Sequence, residues 1–229
     1  MSKLQQALVA RATQLLDEGT VARVVGWTKG EFAYDPSPAT FETSAALADF
    51  VYDEFCGANL SKYLVNLGKK PGKTAVFLKP CDTYSLNELI KEHRVNRDNV
   101  YVIGIECQGK ADNYKLEALG LTSVSGVAYD ADKATVSTAN GTSTVEKGAI
   151  LLEKCLSCKG KKFVIADETI VIDEMAETAN EYIKSYWGAI INAGFDCCPE
   201  CFDITNDRVT PYSNPVLNSA CHAWSCTPS

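Results

Sequence analysis

The chain has 229 residues, of which 46% are hydrophobic, so it can bury a core in one large domain or two small ones. This composition excludes disordered and fibrous proteins. The formal net charge of −7 argues against nucleic acid or an anionic membrane surface as the main partner.

The first third of the chain predicts a helix, a strand and a longer helical region. Residues 1–18 carry apolar side chains at helical spacing and end at a glycine (Leu4, Leu8, Ala12, Leu15 and Gly19). Val21–Trp27 is a short apolar run typical of a strand. Residues 28–43 contain two prolines and are predicted to form a loop. Ser44–Leu67 is predicted to be helical, in two pieces that break near Gly57.

The middle of the chain predicts a parallel β-α-β unit. Thr74–Leu78 and Val100–Ile105 are apolar runs of the length of buried strands. Tyr84–His93 lies between them and has apolar residues on one helical face. A strand, a helix and a second strand within about 35 residues form a unit of this kind.

The second half predicts more strands and one further helix. Ser125–Tyr129 and Ala134–Thr138 flank a polar turn, which indicates a hairpin. Phe163–Ala166 is predicted to be a strand and Glu174–Ala193 a helix. The last 35 residues have no periodic pattern.

These elements predict an α/β fold with a small parallel or mixed sheet, flanking helices and an irregular cysteine-rich C-terminal extension. We expect an α/β domain over residues 1–175 and a helix with a metal-binding tail over residues 176–229.

Ten cysteines favour metal ligation over disulfides. The N-terminal residues lack the apolar region and cleavage site of a signal peptide, so we expect a cytoplasmic protein in a reducing compartment, where disulfides are rare. No apolar stretch approaches the roughly 20 residues of a membrane span, so we expect no membrane insertion.

Four cysteines form the first predicted site. Cys81 and Cys107 each follow a predicted buried strand, and the carboxyl ends of parallel strands share one edge of a sheet, where ligands bind. Cys155 and Cys158 form a Cys-x-x-Cys pair that brings the count to four thiolates. Four thiolates are what a 4Fe-4S cluster needs, so we predict that these cysteines share one cluster.

The stretch KTAVFLKPCDTYSLNELIKEHRVNRDNVYVIGIECQGK (Lys73–Lys110), followed by CLSC, resembles the beta subunits of deazaflavin (coenzyme F-420) hydrogenases and formate dehydrogenases. The resemblance covers about residues 20–175. It implies an electron-relay subunit of anaerobic metabolism that carries a 4Fe-4S cluster and often FAD, in a hetero-oligomer with other redox subunits. By position, the same four cysteines would hold that cluster.

The tail predicts a second metal site. Cys198-Pro199-Glu200-Cys201 has the sequence of a metal knuckle, and two later cysteines bring the ligands to four (Cys221 and Cys226). Cys197 is spare or replaces Cys198, and His222 is a further candidate ligand. A second 4Fe-4S cluster, structural zinc and free thiols remain open alternatives, since cysteine spacing does not separate iron from zinc.

Charged residues near the first site have several interpretations. Lysines surround the CLSC pair, where they offset the charge of a cluster, form a docking patch or coat a solvated loop (Lys154, Lys159, Lys161 and Lys162). Asp82 is predicted to cap the helix that follows Cys81. Cys56 has no partner cysteine nearby in the sequence and is expected to be a packed side chain.

The chain carries no Ser/His/Asp triad and no glycine-rich phosphate-binding motif. We therefore expect a relay subunit rather than a complete enzyme, passing electrons through one or two 4Fe-4S clusters to another subunit. The alternatives are a flavin-dependent deazaflavin-reducing subunit and a zinc-stabilised binding module.

Overall fold

The structure is a computed structural model that describes residues 2–158, 160 and 162–171. The predicted α/β class is confirmed: a mixed sheet and a second, smaller sheet are flanked by helices. The predicted helix Glu174–Ala193, the cysteine-rich tail and the predicted boundary at residue 175 lie outside the described residues. None of the described helices is long and apolar enough to cross a lipid bilayer.

The larger sheet has five strands in the order β2-β1-β3-β4-β8. Strand β2 runs antiparallel to β1, and the other neighbours are parallel. The strands of this sheet are β1 (Arg23–Thr28), β2 (Ser37–Phe41), β3 (Thr74–Leu78), β4 (Val100–Ile105) and β8 (Glu168–Ile170).

The helices connect and cover these strands. They are α1 (Lys3–Asp17), α2 (Leu64–Leu67), α3 (Pro80–Lys91), α4 (Asn113–Ala118), α5 (Lys147–Ile150) and α6 (Glu153–Leu156). Three short 3-10 turns lie at Ser44–Asp49, Ser61–Tyr63 and Arg97–Asn99.

The predicted β-α-β unit is confirmed. Strands β3 and β4 pair in parallel from Thr74 opposite Val100, and every residue of β3 is buried. The connecting helix begins at Pro80, four residues before the predicted start. Proline suits this first helical position, because its missing N–H would have no partner there.

The predicted N-terminal helix is also confirmed. Leu8, Ala12 and Leu15 on one face of α1 are buried, and the Ser2 side chain accepts a hydrogen bond from the Gln5 N–H at the helix start. Gly19 follows the helix with a φ of 67°, a conformation that glycine adopts without strain.

The prediction of a loop over residues 28–43 was wrong in part, because Ser37–Phe41 forms strand β2. Pro38 lies opposite Trp27 in the pairing with β1. An edge strand tolerates proline, since the position without an N–H can face away from the sheet.

The prediction of a helix over Ser44–Leu67 was also wrong in part, because Leu64–Leu67 is the only α-helical turn of this segment and Ser44–Asp49 and Ser61–Tyr63 are 3-10 turns. The segment passes across the sheet with buried side chains at irregular intervals, and the Phe50 ring lies 5.3 Å from the Phe77 ring. The carbonyls of Cys56 and Ala58 accept hydrogen bonds from Lys79 Nζ, at 3.2 and 2.7 Å. These tertiary contacts replace the internal hydrogen bonds of a helix.

The smaller sheet has the order β5-β6-β7, with β5 (Val124–Asp130), β6 (Lys133–Thr138) and β7 (Gly141–Glu146). The predicted hairpin is confirmed as β5 and β6. The third strand, of sequence GTSTVE, was not predicted because it has almost no apolar residues. One face of this sheet packs on a small apolar cluster that includes Leu116 and Ile150.

The predicted strand Phe163–Ala166 was wrong, and strand β8 begins at Glu168 instead. Phe163 packs over Gly104 of β4, where an added Cβ would lie 2.7 Å from the ring. Asp167 exchanges backbone and side-chain hydrogen bonds with Val102, which places the chain in register for β8.

Candidate functional site

A cleft of about 520 Å³ opens at the carboxyl ends of β3 and β4. Four of its lining residues are the cysteines of the first predicted site. The cleft is lined by Lys79, Pro80, Cys81, Glu106, Cys107, Gln108, Gly109, Lys110, Lys154, Cys155, Cys158, Gly160, Phe163 and Val171.

Cys81 and Cys107 reach the cleft from neighbouring strands. Cys81 lies in the first turn of α3, three residues beyond the end of β3, and Cys107 lies two residues beyond the end of β4. Both side chains are partly exposed. Since β3 and β4 are parallel and in register, their ends deliver the two thiols to the same edge of the sheet.

Cys155 and Cys158 reach the same cleft from a separate segment. Cys155 lies in the short helix α6, and the Cys158 N–H donates to the Cys155 carbonyl at 3.3 Å. Hydrogen bonds attach this segment to the rest of the described fold. The Leu152 N–H donates to the Lys110 carbonyl at 2.9 Å, and Lys154 Nζ donates to the Gly57 carbonyl at 2.6 Å.

Gly160 permits the close approach of the Cys-x-x-Cys segment to α3. A Cβ added at Gly160 would lie 2.7 Å from both the Cα and the backbone nitrogen of Cys81. No side chain fits between these two backbones. A glycine two residues after Cys158 is therefore what allows the two halves of the site to meet.

Two of the four thiols, those of Cys81 and Cys155, have raised pKa values and are protonated at neutral pH in the absence of a metal. Burial raises the pKa of Cys81 to about 12, and the neighbouring Asp82 carboxylate raises it further while Lys79 opposes the shift. Burial also raises the pKa of Cys155, although a hydrogen bond from the Lys110 N–H to its sulfur favours the thiolate. Metal binding at these cysteines must displace protons.

Two buried lysines at the cleft were not predicted. The Lys79 side chain is 1% exposed, and Lys110 as a residue is 3% exposed. Lys79 immediately precedes the Pro80-Cys81 turn, and Lys110 lies three residues after Cys107. A lysine this close to a strand-end cysteine was the available signal, but the sequence does not show that either side chain is buried.

The remaining residues of the first predicted site have varied outcomes. Asp82 does not cap α3: residue 79 is the cap, and the Asp82 carboxylate instead lies 2.8 Å from Lys79 Nζ. Cys56 is fully buried, as expected, with its Sγ 3.4 Å from Asp53 Oδ1. Lys162 is exposed, and Lys159 and Lys161 lie outside the described residues.

The five cysteines of the second predicted site also lie outside the described residues, as does His222 (Cys197, Cys198, Cys201, Cys221 and Cys226). The second site therefore stays a prediction.

The donor set of the cleft fits a 4Fe-4S cluster. Among the described residues, no three His, Cys, Asp or Glu side chains form a group that would surround a single metal ion. In a cubane cluster each cysteine binds a separate iron, so the ligands stand farther apart than those of one ion. Four thiols that line one cleft are the number that a cubane cluster takes, and their ligation stays a prediction.

The mixed sheet and its cleft together define an α/β domain whose cleft is lined by four thiols from three segments of the chain. No family model matches the chain. It is similar to curated proteins in sequence and to a solved structure in fold.

The chain is 34% identical over 103 residues to the F420-dependent formate dehydrogenase 1 subunit beta of Methanococcus maripaludis. It is 35% identical over 108 residues to the F420-dependent formate dehydrogenase subunit beta of Methanocaldococcus jannaschii. Each match covers 45% of this chain and 27% of the relative, so the chain spans about a quarter of the length of these curated relatives. The predicted resemblance to such beta subunits is confirmed.

A similar fold occurs in a solved chain of the F420-reducing [NiFe] hydrogenase complex from Methanosarcina barkeri. The two chains superpose with a TM-score of 0.54 at 18% identity, over 66% of this chain and 58% of that chain. At this identity the likeness concerns the fold.

Proposed function

We propose that this chain is an iron–sulfur electron-transfer subunit of a multi-subunit oxidoreductase complex. One observation carries the proposal: four cysteines from three separate segments line a single cleft at the carboxyl edge of the sheet. The relatives support it, because they are named as beta subunits of F420-dependent formate dehydrogenases.

Cys81, Cys107, Cys155 and Cys158 would hold a 4Fe-4S cluster as thiolates. When bound, the cluster supplies a one-electron couple. The chain's own residues position the sulfurs, exclude part of the solvent and set the charge around them. Strands β3 and β4 fix the first two sulfurs, and the turn at Cys155–Cys158 contributes the other two.

The position of the cleft suits exchange of electrons with a partner subunit. Cys158 is exposed, and Leu156, between the two cysteines of the pair, is 50% exposed. Val171, which lines the cleft, is 52% exposed. Exposed apolar side chains beside a redox site favour a docked protein partner, since burial of such side chains stabilises a complex. We infer that another redox subunit covers this rim.

A second candidate function is direct reduction of a deazaflavin by a bound FAD. The names of the two formate dehydrogenase relatives favour it, because both enzymes are described as F420-dependent. A third candidate, a zinc-stabilised binding module, is favoured only by the knuckle sequence Cys198-Pro199-Glu200-Cys201 in the tail.

Anaerobic purification of the full chain, with iron, sulfide, zinc and flavin analysis, separates these candidates. Iron and sulfide in equal amounts, with a broad absorbance near about 400 nm that dithionite bleaches, support a cluster. Additional bands near about 370 and 450 nm indicate flavin. Zinc in a colourless protein favours the binding module and contradicts the relay.

The ligand assignment is tested in the same protein. We expect Cys107→Ser to lose one cluster's iron, while the matched control Cys56→Ala keeps it, because Cys56 is buried and does not line the cleft. Full iron in Cys107→Ser contradicts the assignment. For the second site, Cys201→Ser is expected to lose either a further cluster or zinc, and retention of all metal contradicts that site.

A further inference from the structure

The cleft is lined by three lysines that differ in burial and in pairing: Lys79, Lys110 and Lys154. Lys154 is exposed to solvent, so water and salt screen its charge. The other two are buried. A buried charge acts on its surroundings through a lower effective dielectric constant and is therefore felt more strongly.

The charge of Lys79 is compensated locally. Its Nζ lies 2.8 Å from Asp82 Oδ2, and the Asp82 side chain is 5% exposed. The same nitrogen donates to the carbonyls of Cys56 and Ala58. The ammonium and the carboxylate form a buried ion pair with no net charge, so the pair exerts only a dipole on the cleft.

The charge of Lys110 is not neutralised in this way. Its Nζ donates to the Asp53 carbonyl at 2.6 Å and lies 4.0 Å from the centre of the Tyr52 ring. Within the described part of the chain, no carboxylate oxygen lies within 4.0 Å of Lys110 Nζ. Burial raises the pKa values of Glu54 and Cys56, and the charge of Lys110 opposes both shifts.

Lys110 also acts on a cluster ligand through its backbone. Its N–H donates a hydrogen bond to the Cys155 sulfur. Its carbonyl accepts the hydrogen bond of Leu152, at the start of the segment that carries the Cys-x-x-Cys pair. One residue thus joins the end of the β4 loop to the second pair of cysteines.

We propose that Lys110 sets the reduction potential of the site, its buried ammonium favouring the reduced state of a cluster held by the four cysteines. The inference rests on the proposed function. Reduction adds one electron from the donor and therefore one negative charge, with no bond made or broken. A buried positive charge nearby stabilises that added charge and raises the potential.

The test is a redox titration of the reconstituted full chain. The electron paramagnetic resonance signal that disappears in Cys107→Ser reports how much of the cluster is reduced. Lys110→Gln removes the charge, keeps a donor for the Asp53 carbonyl and keeps the backbone N–H. We expect the ratio of reduced to oxidised cluster at the wild-type midpoint to fall about tenfold, which is about 59 mV for a one-electron couple. Lys110→Arg restores the charge and is expected to stay within about twofold of wild type.

Lys154→Gln is the matched control, because it removes the same charge from the same cleft at an exposed position and keeps a donor for the Gly57 carbonyl. We expect a change of less than about twofold at moderate salt, since solvent screens this lysine. Lys110→Met is a second neutral variant, used where Lys110→Gln fails to fold by circular dichroism.

The outcomes separate the two proposals. A wild-type chain without a cluster overturns the proposed function and this inference with it. A cluster that binds normally and keeps its potential in the neutral Lys110 variants overturns the inference alone. An equal shift in Lys154→Gln also overturns it, because burial would then make no difference.

Discussion

Segments that follow the five-stranded sheet and the three-stranded sheet line the same cleft, but the two sheets are built very differently. Strand β3 is buried along its whole length and lies between two parallel neighbours. Strand β6, the centre of the smaller sheet, alternates buried and partly exposed residues because only one of its faces packs on apolar side chains. Among the described residues, the larger sheet has apolar packing on both faces and the smaller sheet on one face.

The difference concerns how the four thiols are held. Cys81 and Cys107 follow strands fixed by the main core, so their positions are set when the sheet folds. Cys155 and Cys158 follow the smaller sheet and are attached by a turn and a few hydrogen bonds. We infer that the first pair is preorganised and that binding of a cluster stabilises the second pair. Four experiments break or sharpen this contrast.

The largest effect is expected from matched core substitutions in the two sheets. Val76 in β3 and Val136 in β6 are both fully buried. Val76→Ala removes two methyl groups from a strand that is packed on both faces. It is expected to cost about 2–3 kcal/mol of unfolding free energy, from the lost burial and the cavity together. Val136→Ala should cost about 1–2 kcal/mol, because the one-sided core can relax. Urea unfolding measures both, and equal costs contradict the contrast.

The next largest effect is the dependence of cluster retention on pH. The pKa of Cys81 is raised to about 12 from 9.0, chiefly by burial, so this thiol releases a proton when it binds iron. Retention of a cluster against a chelator is expected to increase about tenfold per pH unit for each thiol that deprotonates, so Cys81 alone contributes about a hundredfold from pH 6.5 to pH 8.5. Iron occupancy, corrected for the chelator's own protonation, measures this, and pH-independent retention contradicts it.

In the cluster-free chain, a rise in pH is expected to lower stability instead of raising it. A thiol pKa that is raised on folding stabilises the fold below the unfolded pKa of 9.0, and that stability is lost as the pH rises toward about 12. We therefore expect the cluster-free chain to lose stability over this range, as measured by its thermal midpoint.

A smaller effect is expected at the contact between the two halves of the site. Gly160→Ala places a methyl group 2.7 Å from the Cys81 backbone, so the loop that carries Cys158 must move away. We expect about a tenfold increase in the rate of iron loss to a chelator, with the secondary structure unchanged. Gly148→Ala is the matched control, because its Cβ would meet nothing within 4 Å. Equal iron loss in both variants means that the close approach has no role.

The smallest effect is expected at the edge of the larger sheet. Arg11 of α1 binds both carboxylate oxygens of Glu168 in β8, at 2.8 and 3.0 Å. Both side chains are about a quarter exposed, so Arg11→Met should cost about 0.5–1 kcal/mol of unfolding free energy. Lys91→Met, which removes a more exposed pair with Glu88, is the control and should cost less. A larger cost for Lys91→Met contradicts this ranking.

The elements that could be predicted from the sequence are those whose local pattern and tertiary environment agree. Strands β3 and β4 are continuous apolar runs, and α1 has one apolar face, so burial follows from the pattern alone. The convergence of Cys81 and Cys107 followed from the same pattern, since parallel strands end at one edge.

The failures have a common physical cause. Ser44–Leu67 contains good helix-forming residues, but contacts distant in sequence decide its conformation, among them the hydrogen bonds from Lys79 to two of its carbonyls. Strand β7 has a polar sequence that does not predict a strand. Its strand conformation comes from backbone pairing with β6 and not from burial of its own side chains. Burial of Lys79 and Lys110 depends on the same long-range packing, which single-sequence periodicity does not contain.

Pro38 in strand β2 has a consequence for how this protein associates with others. Strand β2 forms one edge of the five-stranded sheet, and Pro38 pairs with Trp27 on its inner side. Since proline has no N–H to give to β1, its ring faces the outer side of the strand. A chain adding itself to the sheet there would meet a pyrrolidine ring where it needs a hydrogen-bond donor. The proline thus protects this edge against aggregation through strand addition.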